Sequence, residues 1–341
     1  MNLLLFALAY ILILNLTGFL ICGIDKSQAK KRRRRISEGF LLLVGLCGGC
    51  FGLLIGMNVF RHKTKHVKFK ILAPLECVLW TVIVIHVVSA LTLDRQIQYL
   101  EISYPSPKVS EALNGYTIAF VTDTHALPAE KLRVVVDRMN EHAPDILLLG
   151  GDFPSHGGAP ERSMEILSGA QTSDGIYGVE GNHDDWVELF AAMEKYGITP
   201  LSNSGIPVRE HLFVAGVEDL WNRSPNIAKA TESAGKNDFV LLLSHNPDVT
   251  MKQDTANVDL ILSGHTHGGY VTLFGFLAPA LTWSDSITEY GQRFMSGWAK
   301  SRDGVDVFVS NGTGYLTVLP RVFARPQVIF ITLEHIEMPS E

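Results

Sequence analysis

Five short segments carry side chains able to hold two metal ions: Asp123-Thr124-His125, Gly151-Asp152, Gly181-Asn182-His183-Asp184, Ser244-His245 and Gly264-His265-Thr266-His267. The donors are carboxylate and amide oxygens and imidazole nitrogens, with no thiolate, a set that suits Mn, Fe or Zn. Two such ions side by side clamp a phosphate ester and activate water against it. Asp152 stands alone between the flanking groups and has two oxygens, so it is the natural bridge. Asn182 offers only its amide oxygen. The adjacent His183 need not be a ligand and is placed to protonate a leaving group or to stabilise phosphoryl oxygens, with Asp184 or Asp185 orienting its ring. A lone His-x-His or Gly-Asp is usually a turn or a satisfied histidine; these pieces gain weight because each follows a strand-like run.

Those runs are 117–121, 146–149, 175–179, 240–243 and 260–262, short apolar stretches bounded by Gly, Asp or Pro, which read as buried strands. Polar residues just past strand ends meet at one edge of a sheet, so ligands far apart in sequence can converge. The βαβ start is legible directly: a strand at 116–122, a helix at 129–142 with apolar residues at helical spacing ending before Pro144, and a strand at 145–150.

Residues from about Tyr116 to Leu333 resemble the calcineurin-like metallophosphoesterase superfamily in these five motifs, and more closely its bacterial membrane-associated branch in Ala215-Gly216-Val217-Glu218-Asp219, Ser244-His245-Asn246-Pro247-Asp248 and the tail Asn311-Gly312-Thr313-Gly314, Leu319-Pro320-Arg321 and Ala324-Arg325-Pro326. The resemblance implies an α/β fold, a four-layer α-β-β-α sandwich. It implies one metal site of Asp123, His125, Asp152 and His267, a second of Asp152, Asn182, His245 and His265, and His183 as the catalytic residue. Tyr270 stands where the branch usually has Gln and Gln327 where it has Glu, departures that bear on substrate preference. Ser155 stands where a purple acid phosphatase needs Tyr, which disfavours that branch.

The first third has another character. Of 341 residues, 1–91 carry 12 Lys+Arg against 3 Asp+Glu, and the remainder 17 against 32. An acidic catalytic half argues against nucleic acid as the partner, because backbone phosphates need a basic face. All four cysteines, Cys22, Cys47, Cys50 and Cys77, lie in this first third, so the catalytic half has no disulfide available. Residues 3–21 and 71–91 are long and apolar enough to cross hydrocarbon, and 39–59 is equally long but glycine-rich. Gly48, Gly52 and Gly56 at four-residue spacing suit close helix approach, either as a seam for a homo-oligomer or within the bundle. Residues 3–91 also resemble a small bacterial membrane-protein family of unknown function.

The expected organisation is an all-α, multi-pass membrane domain at 1–91, a tether at 92–115 and the phosphoesterase domain at 116–335. Basic loops at 26–35 and 61–70 both belong in the cytoplasm. Three simple spans cannot satisfy both: a re-entrant 39–59 does and places the catalytic domain outside the cell membrane, the favoured reading, whereas a spanning 39–59 leaves that domain in the cytoplasm with the second loop breaking the rule. The aromatic stretch 274–297 reads as a lid or lipid-contacting flap, or as ordinary packing. The expected function is hydrolysis of a phosphodiester or pyrophosphate in a phosphorylated small molecule, lipid or cell-envelope compound. The competing reading is a membrane scaffold that binds a phosphorylated ligand without cleaving it.

Overall fold

The computed structural model describes residues 2–125, 127–153, 160–316 and 320–337; Ser155 and Leu319 of the motifs above lie outside the described residues. The chain divides into two units, Met1–Val88 and Ser89–Glu341.

The first unit is built from α1 (Asn2–Lys30), α2 (Glu38–Val44), α3 (Cys50–Val59) and α4 (Val67–Leu91). Leu5–Lys30, Glu38–Val59 and Val67–Arg95 are each long and apolar enough to cross a membrane. The middle stretch is not one rod. A wide turn over Gly45–Gly49 breaks it, with Gly48 at φ 120°, where a side chain would be strained. Seven and ten residues rise only about 10 and 15 Å, about half of a hydrocarbon core roughly 30 Å thick.

Both ends of this stretch lie together. Lys63 Nζ, past α3, donates to Glu38 Oε1 at the start of α2 at 2.8 Å. Asp25, near the end of α1, accepts from Ile36 N at 2.8 Å, Arg35 Nη2 at 3.2 Å and His62 Nε2 at 2.6 Å. Residues 38–59 thus form a helical hairpin, and the two basic loops share one end of the unit. Asn15 supports the break: its Nδ2 donates to Gly48 O at 2.9 Å and its Oδ1 accepts from Gly52 N at 2.7 Å, pairing backbone groups that lipid could not satisfy.

Of the two uses of the glycine spacing, packing within the bundle is the one seen here. A side chain on Gly49 would strike the Leu14 carbonyl, one on Gly52 the Asn15 backbone, and one on Gly56 Phe19 and Cys22. The small residues are used inside the unit to bring α3 against α1.

The second unit contains, in chain order, β1 (Gln98–Ser106), β2 (Thr117–Val121), α5 (Ala129–His142), β3 (Ile146–Leu149), α6 (Glu161–Leu167), β4 (Ile176–Gly178), α7 (Trp186–Lys195), β5 (Thr199–Pro200), β6 (Ser204–Arg209), β7 (Leu212–Gly216), α8 (Ile227–Ala230), β8 (Phe239–Leu243), α9 (Val249–Lys252), β9 (Leu260–Ser263), α10 (Pro279–Trp283), β10 (Gly297–Lys300), β11 (Asp306–Val309) and β12 (Gln327–His335). They form two six-stranded sheets, β1-β12-β2-β3-β4-β5 and β10-β11-β9-β8-β7-β6.

Period-two alternation sorts their side chains. Ile118, Phe120 and Leu148 of the first sheet meet Val214, Leu241 and Leu262 of the second. Ala119, Val121 and Leu149 turn outward against Leu132 and Val135 of α5, Met164 of α6 and Leu189 of α7. Phe213, Leu242 and Ile261 turn the other way, towards Ile227 of α8 and Val249 of α9. The result is the four-layer α-β-β-α sandwich.

The tether is shorter than expected. Residues 98–106, inside the stretch read as a linker, form edge strand β1, paired in parallel with β12 from Gln98↔Gln327 to Ser106↔His335. Leu100, Ile102 and Tyr104 pack against the inter-sheet core. Pro105 obscured this alternation, yet an edge strand tolerates proline.

Candidate metal centre

β2, β3 and β4 run parallel in one sheet, and β8 and β9 in the other. The loops after these strands carry all the residues singled out by their types, and the structure brings them together. Asp123, His125 and His267 form one buried group and Asp123, Asp152 and His245 another, with donor atoms in each within 4.8 Å of one another. Asn182 Oδ1 lies 3.2 Å from His245 Nε2 and 2.7 Å from His265 Nδ1. A single oxygen, Asp152 Oδ2, lies 3.5 Å from His125 Nε2 of the first group and 3.3 Å from His245 Nε2 of its own.

The donor chemistry fits divalent cations. His245 Nδ1 is 2.8 Å from the Gly150 carbonyl, and His265 Nε2 is 2.8 Å from that of Ile287. A carbonyl only accepts, so these nitrogens carry the hydrogen and turn His245 Nε2 and His265 Nδ1 towards the site. Both face acceptors: Asn182 Oδ1 in each case, and for His245 also Asp152 Oδ2. His125 Nε2 and His267 Nε2 face each other at 3.1 Å, and Arg321 Nη2, which can only donate, meets His267 Nδ1 at 3.3 Å, so the neutral His267 ring carries its hydrogen on Nε2. Asn182 Oδ1 and His265 Nδ1, 2.7 Å apart, are two acceptors set against each other, a contact that a cation between them would relieve.

Electrostatics agree. Burial pushes Asp123 up and His125 down; burial and the charge on His245 push His265 down to about 3, and burial with the Arg321 charge holds His267 well below the usual imidazole range. Neutral imidazole is the ligating form. His245 differs: burial opposes its charge, but the carboxylates of Asp152 and Asp123 raise it well above the ordinary value.

Tight loops hold this arrangement. Asp123, His125, Asp152, His265 and His267 all have positive φ, between 35° and 71°, a cost that clusters at functional sites. Two motif glycines are explained by close approach. A side chain on Gly181 would fall 2.2 Å from Asp152 Oδ1, and one on Gly264 2.2 Å from Asp123 Oδ2.

His183 is exposed at the mouth of the site. Its backbone N–H donates to Asp152 Oδ1 at 2.8 Å, and its ring meets that of His125 edge-on with centroids 5.4 Å apart. Neither neighbouring carboxylate orients it. Asp184 accepts from the N–H groups of Asp152 at 2.7 Å, Gly181 at 2.8 Å and Phe153 at 3.0 Å, while Asp185 caps α7 through Val187 N and Glu188 N. The physical reason is that turns this tight leave buried backbone donors that need an acceptor.

Several supporting residues were legible only as motif letters. Asp219 accepts from Trp221 N and Asn222 N at 2.9 Å each; Asn222 Nδ2 then donates to Asn182 O at 2.7 Å, and Trp221 meets the His265 ring edge-on at 4.5 Å. Arg321 is fully buried. It donates to the carbonyls of Asn311 at 2.6 Å, Gly314 at 2.6 Å and His267 at 3.1 Å, gathering the tail loop behind the His267 ring. Asp248 fixes the aromatic stretch by accepting from Thr288 Oγ1 at 2.5 Å and Glu289 N at 2.8 Å.

Beside the donors lies a cavity of about 210 Å³, walled by Trp221, Tyr270, Ala280, Ile287 and Leu316 as well as by Asp152, Asn182 and His183. Of the two departures from the branch pattern, Tyr270 faces this cavity. Gln327 instead starts β12 and pairs with the Gly312–Thr313 turn.

Two packed sheets with Asp, Asn and His donors gathered at their strand ends are the features to compare with known proteins. The model of the calcineurin-like phosphoesterase family matches residues 116–269. Residues 15–69 match a second family model, described as a protein of unknown function, DUF1294. The chain is 28% identical over 264 residues to a Danio rerio protein named transmembrane protein with metallophosphoesterase domain, covering 69% of this chain and 57% of that one. It is 25% identical over 229 residues to an uncharacterized metallophosphoesterase of Helicobacter pylori, covering 63% and 59%. It thus spans less than two thirds of either relative. A further 76 residues are 43% identical to the uncharacterized protein YsdA of Bacillus subtilis, covering 22% of this chain and 85% of that protein.

Proposed function

We propose that this chain is a membrane-anchored phosphoesterase that uses two divalent ions to hydrolyse a phosphodiester or pyrophosphate bond in a lipid or cell-envelope molecule. The observation that carries the reading is the position of Asp152 Oδ2 between His125 Nε2 and His245 Nε2. Asp123, His125, Asp152 and His267 would hold one ion, and Asp152, Asn182, His245 and His265 the other; Mn, Fe and Zn all suit these donors. When bound, such a pair polarises phosphoryl oxygens and lowers the pKa of a water.

The chain's own residues do the rest. The Gly150 and Ile287 carbonyls fix the tautomers of His245 and His265 before substrate arrives. Asp184 and Asn222 hold the loops that carry Asp152 and Asn182. His183, at the mouth and outside the donor groups, protonates the departing oxygen. Trp221, Tyr270 and Ile287 offer an apolar wall to the leaving group.

A membrane substrate is supported by the aromatic stretch. Phe276 is 85% exposed and Trp283 83%, while Ile287 of the same stretch lines the cavity. Burial of a large apolar side chain is worth about 1.5–3 kcal/mol, enough to draw this edge onto a lipid surface. The double variant Phe276→Ser/Trp283→Ser is expected to raise the KM for a phospholipid presented in vesicles by about tenfold or more. Turnover of the soluble diester bis(p-nitrophenyl) phosphate should stay within about twofold. Equal losses on both substrates would remove the lipid-surface reading.

The helical hairpin supports an extracytoplasmic catalytic domain. With both basic loops at one end, the positive-inside rule puts that end in the cytoplasm, and α4 carries the chain to the opposite face. An alkaline phosphatase fused after Glu341 should be active and a fluorescent protein fused there dark; the reverse pattern would place the enzyme in the cytoplasm.

A further inference from the structure

The first unit holds a second built cavity, far in sequence from the phosphoesterase motifs. It is about 350 Å³ and is lined by Lys26, Lys30, Arg35, His62, Lys63 and His66. Its walls are fixed rather than loose. Asp25 is completely buried and ties Arg35, Ile36 and His62 to the end of α1. Lys26 Nζ donates to Arg61 O at 2.9 Å. The Lys63 side chain is 3% exposed, 2.8 Å from Glu38 Oε1 and 5.0 Å above the Phe69 ring.

Charge in this cavity is not balanced from within. Four of its lining residues are Lys or Arg, and Asp25 and Glu38 are the only acidic residues in 1–70. Asp25 is paired with Arg35 and His62, and Glu38 with Lys63 and His66. Lys26 and Lys30 therefore bring positive charge without a carboxylate to match it. The cavity also lies where the apolar stretches end, at Lys30, and begin, at Glu38 and Val67. That is the depth of lipid headgroups for a helix that crosses a bilayer, and lysines there extend their amines to the surface.

We propose that this cavity binds the phosphate group of an anionic phospholipid. Ammonium and guanidinium groups around a fixed concavity recognise phosphate by charge-assisted hydrogen bonds. A juxtamembrane basic cluster alone would attract anionic lipid diffusely; the locked walls make a discrete site.

The test uses the full chain in detergent, titrated with phosphatidylglycerol or phosphatidylcholine and read by native mass spectrometry. The wild type should retain phosphatidylglycerol preferentially. Lys26→Gln/Lys30→Gln should weaken that binding by about tenfold. Lys65→Gln/Lys68→Gln, which removes two exposed cations outside the cavity, should leave it within about twofold. Should the first double variant fail to fold, Lys30→Gln alone, at an exposed position, gives the same readout. No preference between the lipids, or equal losses in the two double variants, would overturn the site. Displacement of the lipid by millimolar inorganic phosphate would overturn the lipid assignment in favour of a soluble phosphate compound.

Discussion

Asp152→Asn is expected to leave a folded protein that binds fewer than two ions per chain and turns over at least about 10³-fold more slowly, a loss of roughly 4 kcal/mol in transition-state stabilisation. The substitution preserves the volume of the side chain and the acceptor that takes the His183 N–H at 2.8 Å. What it removes is the charge of the oxygen lying between His125 and His245. Without that carboxylate both proposed ion sites lose the ligand they share, so occupancy should fall at both positions together. Elemental analysis after gel filtration reads this directly. Two tightly held ions in the variant would refute the bridging role.

His183→Ala should behave in the opposite way. The ring stands outside both donor groups and at the mouth of the cavity, so the variant should keep both ions. Turnover should fall by about 10²- to 10⁴-fold, the usual worth of a positioned acid or base. A leaving group that needs no proton offers an internal check: a p-nitrophenyl ester should lose less than an alkyl ester. Equal losses on the two esters would assign His183 to phosphate binding rather than proton transfer.

Much of the centre was legible because each donor follows a buried strand. Asp123 after 117–121 and His245 after 240–243 could be placed at a sheet edge from apolar runs alone, and the strands end where those runs end. Other features depend on geometry that residue types do not encode. Asp184 looked like a partner for the neighbouring His183, yet the tight turns left three backbone donors that claimed it. Arg321 is a surface residue by type, and only the folded tail loop gathers enough carbonyls to bury it. β1 hid behind Pro105 until its pairing with β12 appeared. The turn of the middle stretch at Gly48 was likewise hidden, because apolar length alone reads as one rod.

The central claim is that two ions shared by Asp152 support phosphoester hydrolysis. The most direct measurement titrates Mn or Zn into the chelator-treated full chain while following bis(p-nitrophenyl) phosphate hydrolysis and metal content together. Turnover should be absent in chelator, rise with metal to a plateau at two ions per chain, and exceed that for p-nitrophenyl phosphate. Undiminished turnover in chelator, or two bound ions with no hydrolysis of diester, pyrophosphate or lipid substrates, would contradict it.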